Sequence, residues 1–447
     1  MNLRFGSSGI RGKYPETVNP AVAFELGKLL PKTLGGTVAL GRDPRHSGQV
    51  LKAAFVASAL QSGARVLDYD MVPTPAIAYE TKFHRASAGV VITASHNPPE
   101  YNGFKIFDST GEALKDERSL FKAKVHGAKP LGKIPFAGVV QNREPNSYVD
   151  MITQIRLERK WRLVLDPGNG AASMLGPRVY RELLGGVTSI NSVPDGSFTA
   201  RGSEPTEKSE KTLSATVVET RADAGIAFDG DGDRMFIVDE KGNRPLQDRV
   251  LASYISFLSR RSKGPFLVPL DASMAIDEVA EQHGARLARG PVGDALLLQE
   301  MKKRGAKFAG EPSGAWIHYD HNSTPDGILS GLLFLKSVEE MGGPVSKGIE
   351  AVPQYSMIRH SVRYPQRLTR TKVESLARGL RRVLGTDSST SIRFGLRVST
   401  EQSWILVRES GTEPVIRVTG ESKKSSEGLR VMRESLRLLR RVLKSRH

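Results

Sequence analysis

The sequence predicts an α/β protein, with three topologically similar α/β domains followed by a smaller C-terminal α+β domain. Three observations carry this. An apolar strand, turn and helix-like stretch recurs three times, each copy closes on a loop dense in functional groups, and the pattern changes after Pro353. Strands alternating with helices at such spacing build parallel-type units, and regular recurrence builds repeated domains. A chain of 447 residues is also too long for one core.

The copies can be followed in order. Thr37-Val38-Ala39-Leu40 runs into Gly41-Arg42-Asp43-Pro44-Arg45, Leu163-Val164-Leu165 into Asp166-Pro167-Gly168, and Phe266-Leu267-Val268-Pro269-Leu270 into Asp271-Ala272-Ser273. A second strand follows each, at Ala64 to Asp68, Val187 to Ile190 and Ala285 to Ala288. A third run then ends in Thr93 to Pro98, Asp229 to Arg234, or Gly310 to Trp316. The expected domains are 1–146, 147–246, 247–352 and 353–447, the last with strands at Ser391 to Phe394, Trp404 to Val407 and Val415 to Val418 between two basic helices.

Composition narrows the function. With 39% hydrophobic and 25% charged residues the chain reads as an ordinary globular protein, and no run is long enough to span a membrane, so a cytoplasmic location is expected. There are no cysteines, which leaves oxygen or histidine ligands for any metal. Of the net charge of +17, +13 falls after residue 350. That field favours anionic ligands. Nucleic acid is not expected as the partner, because aromatic residues make up only 6% and no recognised binding motif is present.

Four loops carry chemistry. Ala88 to Ile92 reads as a buried strand that stops at Thr93-Ala94-Ser95-His96-Asn97-Pro98, leaving the Ser95 hydroxyl at a strand end, with His96 beside it and Lys105 ten residues on. Asp229-Gly230-Asp231-Gly232-Asp233-Arg234 sets three carboxylates at alternate positions. The intervening glycines let the backbone curl until all three face one centre, where a hard divalent cation such as Mg²⁺ would offset their repulsion. An EF-hand calcium loop is excluded, because Arg234 stands where that loop needs glycine and the flanks read as strands.

In Gly310-Glu311-Pro312-Ser313-Gly314, Glu311 and Ser313 offer a carboxylate and a hydroxyl suited to vicinal sugar hydroxyls. Arg408-Glu409-Ser410-Gly411-Thr412-Glu413-Pro414, with Arg417 near, has the composition of a phosphate cradle. Arg11, in Phe5-Gly6-Ser7-Ser8-Gly9-Ile10-Arg11-Gly12, sits on a glycine-rich turn suited to phosphate contact. Gly41-Arg42-Asp43-Pro44-Arg45 reads as a source of structural ion pairs.

Taken jointly and in this order, these motifs resemble the α-D-phosphohexomutase superfamily over essentially the whole chain. The resemblance implies one loop from each of four domains meeting in a central cleft. It implies that Ser95 carries a phosphoryl group as phosphoserine, and that Asp229, Asp231 and Asp233 hold Mg²⁺ together with that group. Glu311 and Ser313 would bind the sugar, and Arg408, Ser410, Gly411, Thr412 and Arg417 the phosphate that is not reacting. Arg11, His96, Lys105 and Arg234 would surround the reacting group.

The implied activity interconverts hexose 6-phosphates and 1-phosphates through a hexose or hexosamine 1,6-bisphosphate. Ala315 stands where many members carry histidine. Gly310 to Gly314 with Trp316, and Thr324-Pro325-Asp326-Gly327, look most like archaeal-type phosphoglucosamine mutases, with phosphomannomutase/phosphoglucomutase as the alternative. Pro291-Val292-Gly293-Asp294 is expected to complete the sugar site. The implied partner is a phosphosugar, and a homodimer is one assembly the resemblance allows.

Overall fold

The computed structural model describes residues 5–6, 9–114, 138–364, 366–385, 387–410 and 414–444. In the first sheet the strands are β1 (Phe5–Gly6), β2 (Gly9–Lys13), β3 (Thr37–Arg42), β4 (Arg65–Met71), β5 (Ala88–Ile92), β6 (Tyr101–Asp108) and β7 (Val139–Asn142), ordered β1-β2-β6-β5-β3-β4-β7. The second sheet comprises β8 (Arg162–Asp166), β9 (Gly186–Ser189), β10 (Ala224–Phe228) and β11 (Met235–Asp239), ordered β11-β10-β8-β9. The third has β12 (Phe266–Pro269), β13 (Leu287–Gly290), β14 (Phe308–Gly310) and β15 (Trp316–His318), ordered β13-β12-β14-β15.

One four-strand plan underlies all three. Its first strand is central, with the second and third parallel on either side, and a fourth folds back antiparallel on the third. The serine, aspartate and sugar loops are the same turn in this plan, between β5 and β6, β10 and β11, and β14 and β15. Every residue of β5 and β10 is buried, as expected of central strands whose two faces are covered.

The fourth sheet is antiparallel, with β16 (Ser356–Arg363), β17 (Ser389–Ser391), β18 (Leu396–Ser399), β19 (Ser403–Glu409) and β20 (Val415–Ser422) ordered β16-β20-β19-β18-β17. The strand expected at Ser391 to Phe394 is displaced: β17 ends at Ser391, and Ile392, 65% exposed, lies in the turn. Apolar content there marks a turn whose Arg393 reaches Glu300 at 3.1 Å. The long edge strand β16 was not anticipated, because its exposed Arg359, His360 and Ser361 break the apolar run.

One apolar cluster runs continuously from Ala39 and Val91 through Tyr148, Leu165 and Phe228 to Trp316 and Leu335, so the first three sheets share a core. The fourth has its own, around Leu380, Val398, Ile405, Val418 and Leu439. It meets the third through a small cluster of Leu270, Met274, Trp404 and Leu406. Beside that cluster, buried Glu421 accepts from Ser273 Oγ at 2.5 Å, Met274 N at 2.7 Å and Trp404 Nε1 at 2.7 Å. Among the described residues no helix is long and apolar enough to cross a membrane.

Candidate active site

The serine loop is held from beneath by a buried ion pair. Asp43 and Arg45 have no exposed side-chain surface and meet at 2.9 Å. Arg45 then donates to four backbone carbonyls of the loop, those of Ser95 at 2.8 Å, Asn97 at 2.6 Å, Pro98 at 2.5 Å and Tyr101 at 2.8 Å. Asp43 accepts from Thr93 Oγ1 at 2.6 Å, and that oxygen accepts from Ser95 N at 2.8 Å. The network pins Ser95 at φ +52°, a left-handed backbone that costs free energy for any residue with a Cβ. Strain at this residue persists because the surrounding contacts over-determine it.

From that position Ser95 Oγ donates to Asp229 Oδ2 at 2.9 Å, across the junction of the first two domains. Gly230 permits the approach, since a Cβ there would lie 2.6 Å from the Ser95 carbonyl oxygen. The two loops are further tied by Ser203 Oγ, which donates to the carbonyls of His96 and Asn97, and by Thr74, whose hydroxyl donates to Asp231 Oδ2 at 2.5 Å.

Asp229, Asp231 and Asp233 are all buried, and one carboxylate oxygen from each lies within 4.8 Å of the other two. Oδ1 of Asp231 and of Asp233 are buried without a hydrogen-bond partner among the described residues. Such orphaned acceptors are costly unless a cation satisfies them, so the donor set fits a hard divalent ion. Burial and then Asp233 and Asp231 push Asp229 well above the usual carboxylate range. Burial pushes Asp231 upward too, but Lys105 and Thr74 outweigh it and hold it below that range.

Lys105 donates to Asp231 at 2.7 Å and also to Asp233. Arg11 pairs in register with Gly103, two residues before Lys105, so the two cations share one face of the sheet. Arg11 donates to Asn97 Oδ1 at 3.2 Å. Arg234 lies 3.3 Å from Glu204, and its backbone N donates to Asp229 at 3.1 Å. The His96 ring, with Nδ1 3.4 Å from Ser95 Oγ, is kept neutral by burial and by Arg234 and Arg11, which push it down to about 2.

The sugar loop is carried against the aspartate loop by the backbone. Met235 N donates to Gly314 O at 3.1 Å, and a Cβ on Gly314 would lie 2.3 Å from the Met235 carbonyl oxygen. Glu311 accepts from Gly293 N at 2.9 Å and from Ser313 Oγ at 3.0 Å. Burial, followed by the field of Asp294, raises its carboxyl to about 7. Asp326 caps the helix Gly327–Met341, accepting from Leu329 N and from the Tyr148 hydroxyl.

In the fourth domain Arg408 and Arg417 are direct cross-strand partners near the hairpin, where Ser410 N bonds Val415 O at 2.9 Å. Like charges placed opposite one another repel, and an anion between them offsets the repulsion. Arg408 Nη2 lies 3.6 Å from Asp271 of the third domain. Gly411 and Thr412, expected in the same cradle, lie outside the described residues, as do Ser7 and Ser8.

The structure thus gathers Ser95, His96, Lys105, Arg11, Arg234 and the three aspartates at one centre, with Glu311 and Ser313 on the adjoining loop. Sequence reasoning missed Thr74, Ser203, Arg201 and Glu204 as supports. Arg201, for example, holds Asp166 at 2.8 Å behind the aspartate loop. These are single polar residues with no motif around them, so no periodicity or spacing marks them.

A multidomain α/β fold thus brings a serine hydroxyl into hydrogen-bond contact with one member of a buried carboxylate trio. Comparison with known proteins identifies the family. Residues 2–124, 146–242 and 247–355 match phosphoglucomutase/phosphomannomutase alpha/beta/alpha domains I, II and III, and 368–438 match the C-terminal domain of the same family. The chain belongs to the phosphoglucomutase/phosphomannomutase family, within the phosphohexomutase superfamily, and is of the phosphoglucosamine mutase type.

Among relatives, a probable phosphoglucosamine mutase of Thermococcus kodakarensis is 36% identical over 449 residues, covering 99% of each chain. Another from Methanothermobacter thermautotrophicus is 37% identical over 442 residues, covering 97% of this chain and 96% of that one. A phosphoglucomutase/phosphomannomutase family protein from Burkholderia thailandensis superposes with a TM-score of 0.84 at 25% identity over 98% of both chains. Aspergillus fumigatus N-acetylphosphoglucosamine mutase, solved with GlcNAc-6P and magnesium, shares the fold at a TM-score of 0.63 and 16% identity, covering 98% of this chain and 96% of that one.

Proposed function

We propose that this protein is a Mg²⁺-dependent mutase that interconverts glucosamine 6-phosphate and glucosamine 1-phosphate through phosphorylated Ser95. The observation that carries the reading is the 2.9 Å contact of Ser95 Oγ with Asp229 inside a buried, partly orphaned carboxylate trio. The preference for glucosamine rests on full-length relatives bearing that name at 36–37% identity.

Asp229, Asp231 and Asp233 would hold Mg²⁺, which supplies positive charge to the phosphoryl oxygens on Ser95. Lys105, Arg11 and Arg234 add fixed cations around the same point, in a site where burial strengthens each interaction. The bond between phosphorus and Ser95 Oγ breaks as one forms to the sugar hydroxyl oxygen, the hydroxyl proton ends on the freed Ser95 Oγ, and the product is a hexosamine 1,6-bisphosphate. The sugar then turns end for end, and its other phosphate returns to Ser95 while the freed sugar oxygen regains a proton. Arg408 and Arg417 of the fourth domain hold whichever phosphate is not reacting. A core separate from that of the first three domains suits the fourth domain to opening and closing the cleft.

The test is kcat/KM for glucosamine, glucose and mannose phosphates side by side, with Mg²⁺ and a trace of the matching bisphosphate. Glucosamine phosphate is expected to be turned over fastest. Faster turnover of mannose or glucose phosphate would move the assignment to phosphomannomutase/phosphoglucomutase. Absence of turnover with all three would overturn the mutase reading.

A further inference from the structure

Two carboxylates neighbour Glu311 of the sugar loop: Asp294, in the stretch expected to complete the sugar site, and Asp271, outside the recognised loops. β12 and β13 are parallel, and their last residues, Pro269 and Gly290, are register partners, so the chain leaves both strands at the same sheet edge. Asp271 follows the first strand and Asp294 the second. Asp294 begins the helix Asp294–Arg304, and the Gly293 N–H just before it is bonded to Glu311. Both carboxylates act on Glu311 electrostatically.

Their outer neighbours differ. Asp294 lies within the electrostatic reach of Lys105, Asp233 and Arg234, all at the reacting centre. Asp271 lies 3.6 Å from Arg408, on the strand leading into the phosphate hairpin. That separation is beyond a hydrogen bond. Asp294 is thus oriented toward the reacting-centre end and Asp271 toward the Arg408 end, with Glu311 within the field of both.

A hexosamine phosphate matches this arrangement in both of its orientations. When the 6-phosphate is held at Arg408, C1 faces Ser95 and the C2 ammonium lies next to it, on the Asp294 side. When the sugar has turned and the 1-phosphate is held at Arg408, C2 lies at that end, on the Asp271 side. A neutral hexose offers a hydroxyl at the same positions and gains no charge-assisted bond. We propose that Asp294 and Asp271 are the amine-specificity residues, Asp294 contacting the ammonium in the glucosamine 6-phosphate complex and Asp271 contacting it in the glucosamine 1-phosphate complex. This rests on the mutase reading above, which supplies the ligand class; the carboxylates decide only which sugar is preferred.

Equilibrium binding is the suitable measurement, because the forward and reverse kcat/KM of a mutase are tied by the reaction's equilibrium constant. Calorimetric titration uses the full-length Ser95→Ala protein with Mg²⁺, which binds without turning over, alone or with Asp294→Asn or Asp271→Asn added. The four ligands are the 6-phosphates and 1-phosphates of glucosamine and of glucose. In each background the readout is the ratio of Kd for the amino sugar to Kd for its neutral counterpart, which cancels changes in phosphate binding through Arg408 and general loss of folding.

Asp294→Asn is expected to shift that ratio by roughly ten- to a hundredfold for the 6-phosphates and much less for the 1-phosphates, with Asp271→Asn showing the reverse. Equal losses for amino and neutral sugars, or shifts that ignore orientation, overturn the assignment. Should a variant be too unstable to titrate, the parent protein decides: it must bind glucosamine phosphates more tightly as the amine becomes protonated, and an unchanged preference across that protonation overturns it. Mutase turnover without any amino-sugar preference would sink this inference and leave the mutase chemistry standing, whereas no turnover on any hexose phosphate would remove both.

Discussion

The two halves of the site are built differently. Around Ser95 the contacts are short, buried and mutually supporting, from the Asp43–Arg45 pair under the loop to Thr74 and Lys105 on Asp231. Around Glu311 and Arg408 they are sparser, they cross to a domain with its own core, and Arg408 and Asp271 keep 3.6 Å between them. Phosphoryl transfer needs a fixed attack geometry with charge already in place. A sugar that must be held in two orientations needs a binding half that tolerates both. On the mutase reading proposed above, the denser contacts lie where the bond would be made and broken.

The largest expected effect tests the rigid half directly. Ser95→Ala should lower mutase turnover by at least about 10³-fold, measured in the coupled assay, with no loss of folded structure by circular dichroism. Near wild-type turnover in that variant would dissolve the distinction between the halves. Next, Asp231→Asn should weaken the affinity for Mg²⁺ by roughly 10²-fold or more, read as a rise in the activating concentration. A chelator should silence the wild-type protein and restored Mg²⁺ should revive it.

Stability separates the halves further. Arg45→Ala leaves Asp43 buried without its partner and should cost about 3–5 kcal/mol, seen as a lowered denaturation midpoint. Arg408→Ala removes a half-buried cation with a loose partner and should cost under about 1 kcal/mol, while raising KM for every phosphosugar. Comparable stability losses would mean the binding half is as tightly built as the reacting one.

A pH dependence is also expected at Glu311. Burial, with Asp294 and Asp271, raises its carboxyl from 4.5 to about 7, so between those values the folded chain keeps a proton that the unfolded chain has released. Stability therefore falls as pH rises through this window. Glu311→Gln should flatten that slope in melting curves taken from pH 4.5 to 7, and an unaltered slope would place the titrating group elsewhere.

Much of this was legible before any coordinates. Asp229, Asp231 and Asp233 declare themselves because glycines at alternate positions have few other uses, and the strand that ends at Ser95 is marked by an unbroken apolar run. The repeat was legible as well, since each copy rewrites the same strand and turn. The turn at Ile392 to Phe394 was misread as strand because local apolar content does not say whether a side chain faces a core or, like Arg393, leans across to another domain.

By itself the sequence determined the α/β repeat and the chemical type of each loop, because these depend on periodicity and on residue types close together in the chain. Only the tertiary structure decided that Asp43 and Arg45 brace Ser95, that Ser95 meets Asp229 across 134 positions of chain, and that Asp271 and Asp294 both come within the electrostatic reach of Glu311. The physical reason is that hydrogen bonds and charge interactions act over a few ångströms of space, and which distant residues share that space is set by how the sheets and cores pack.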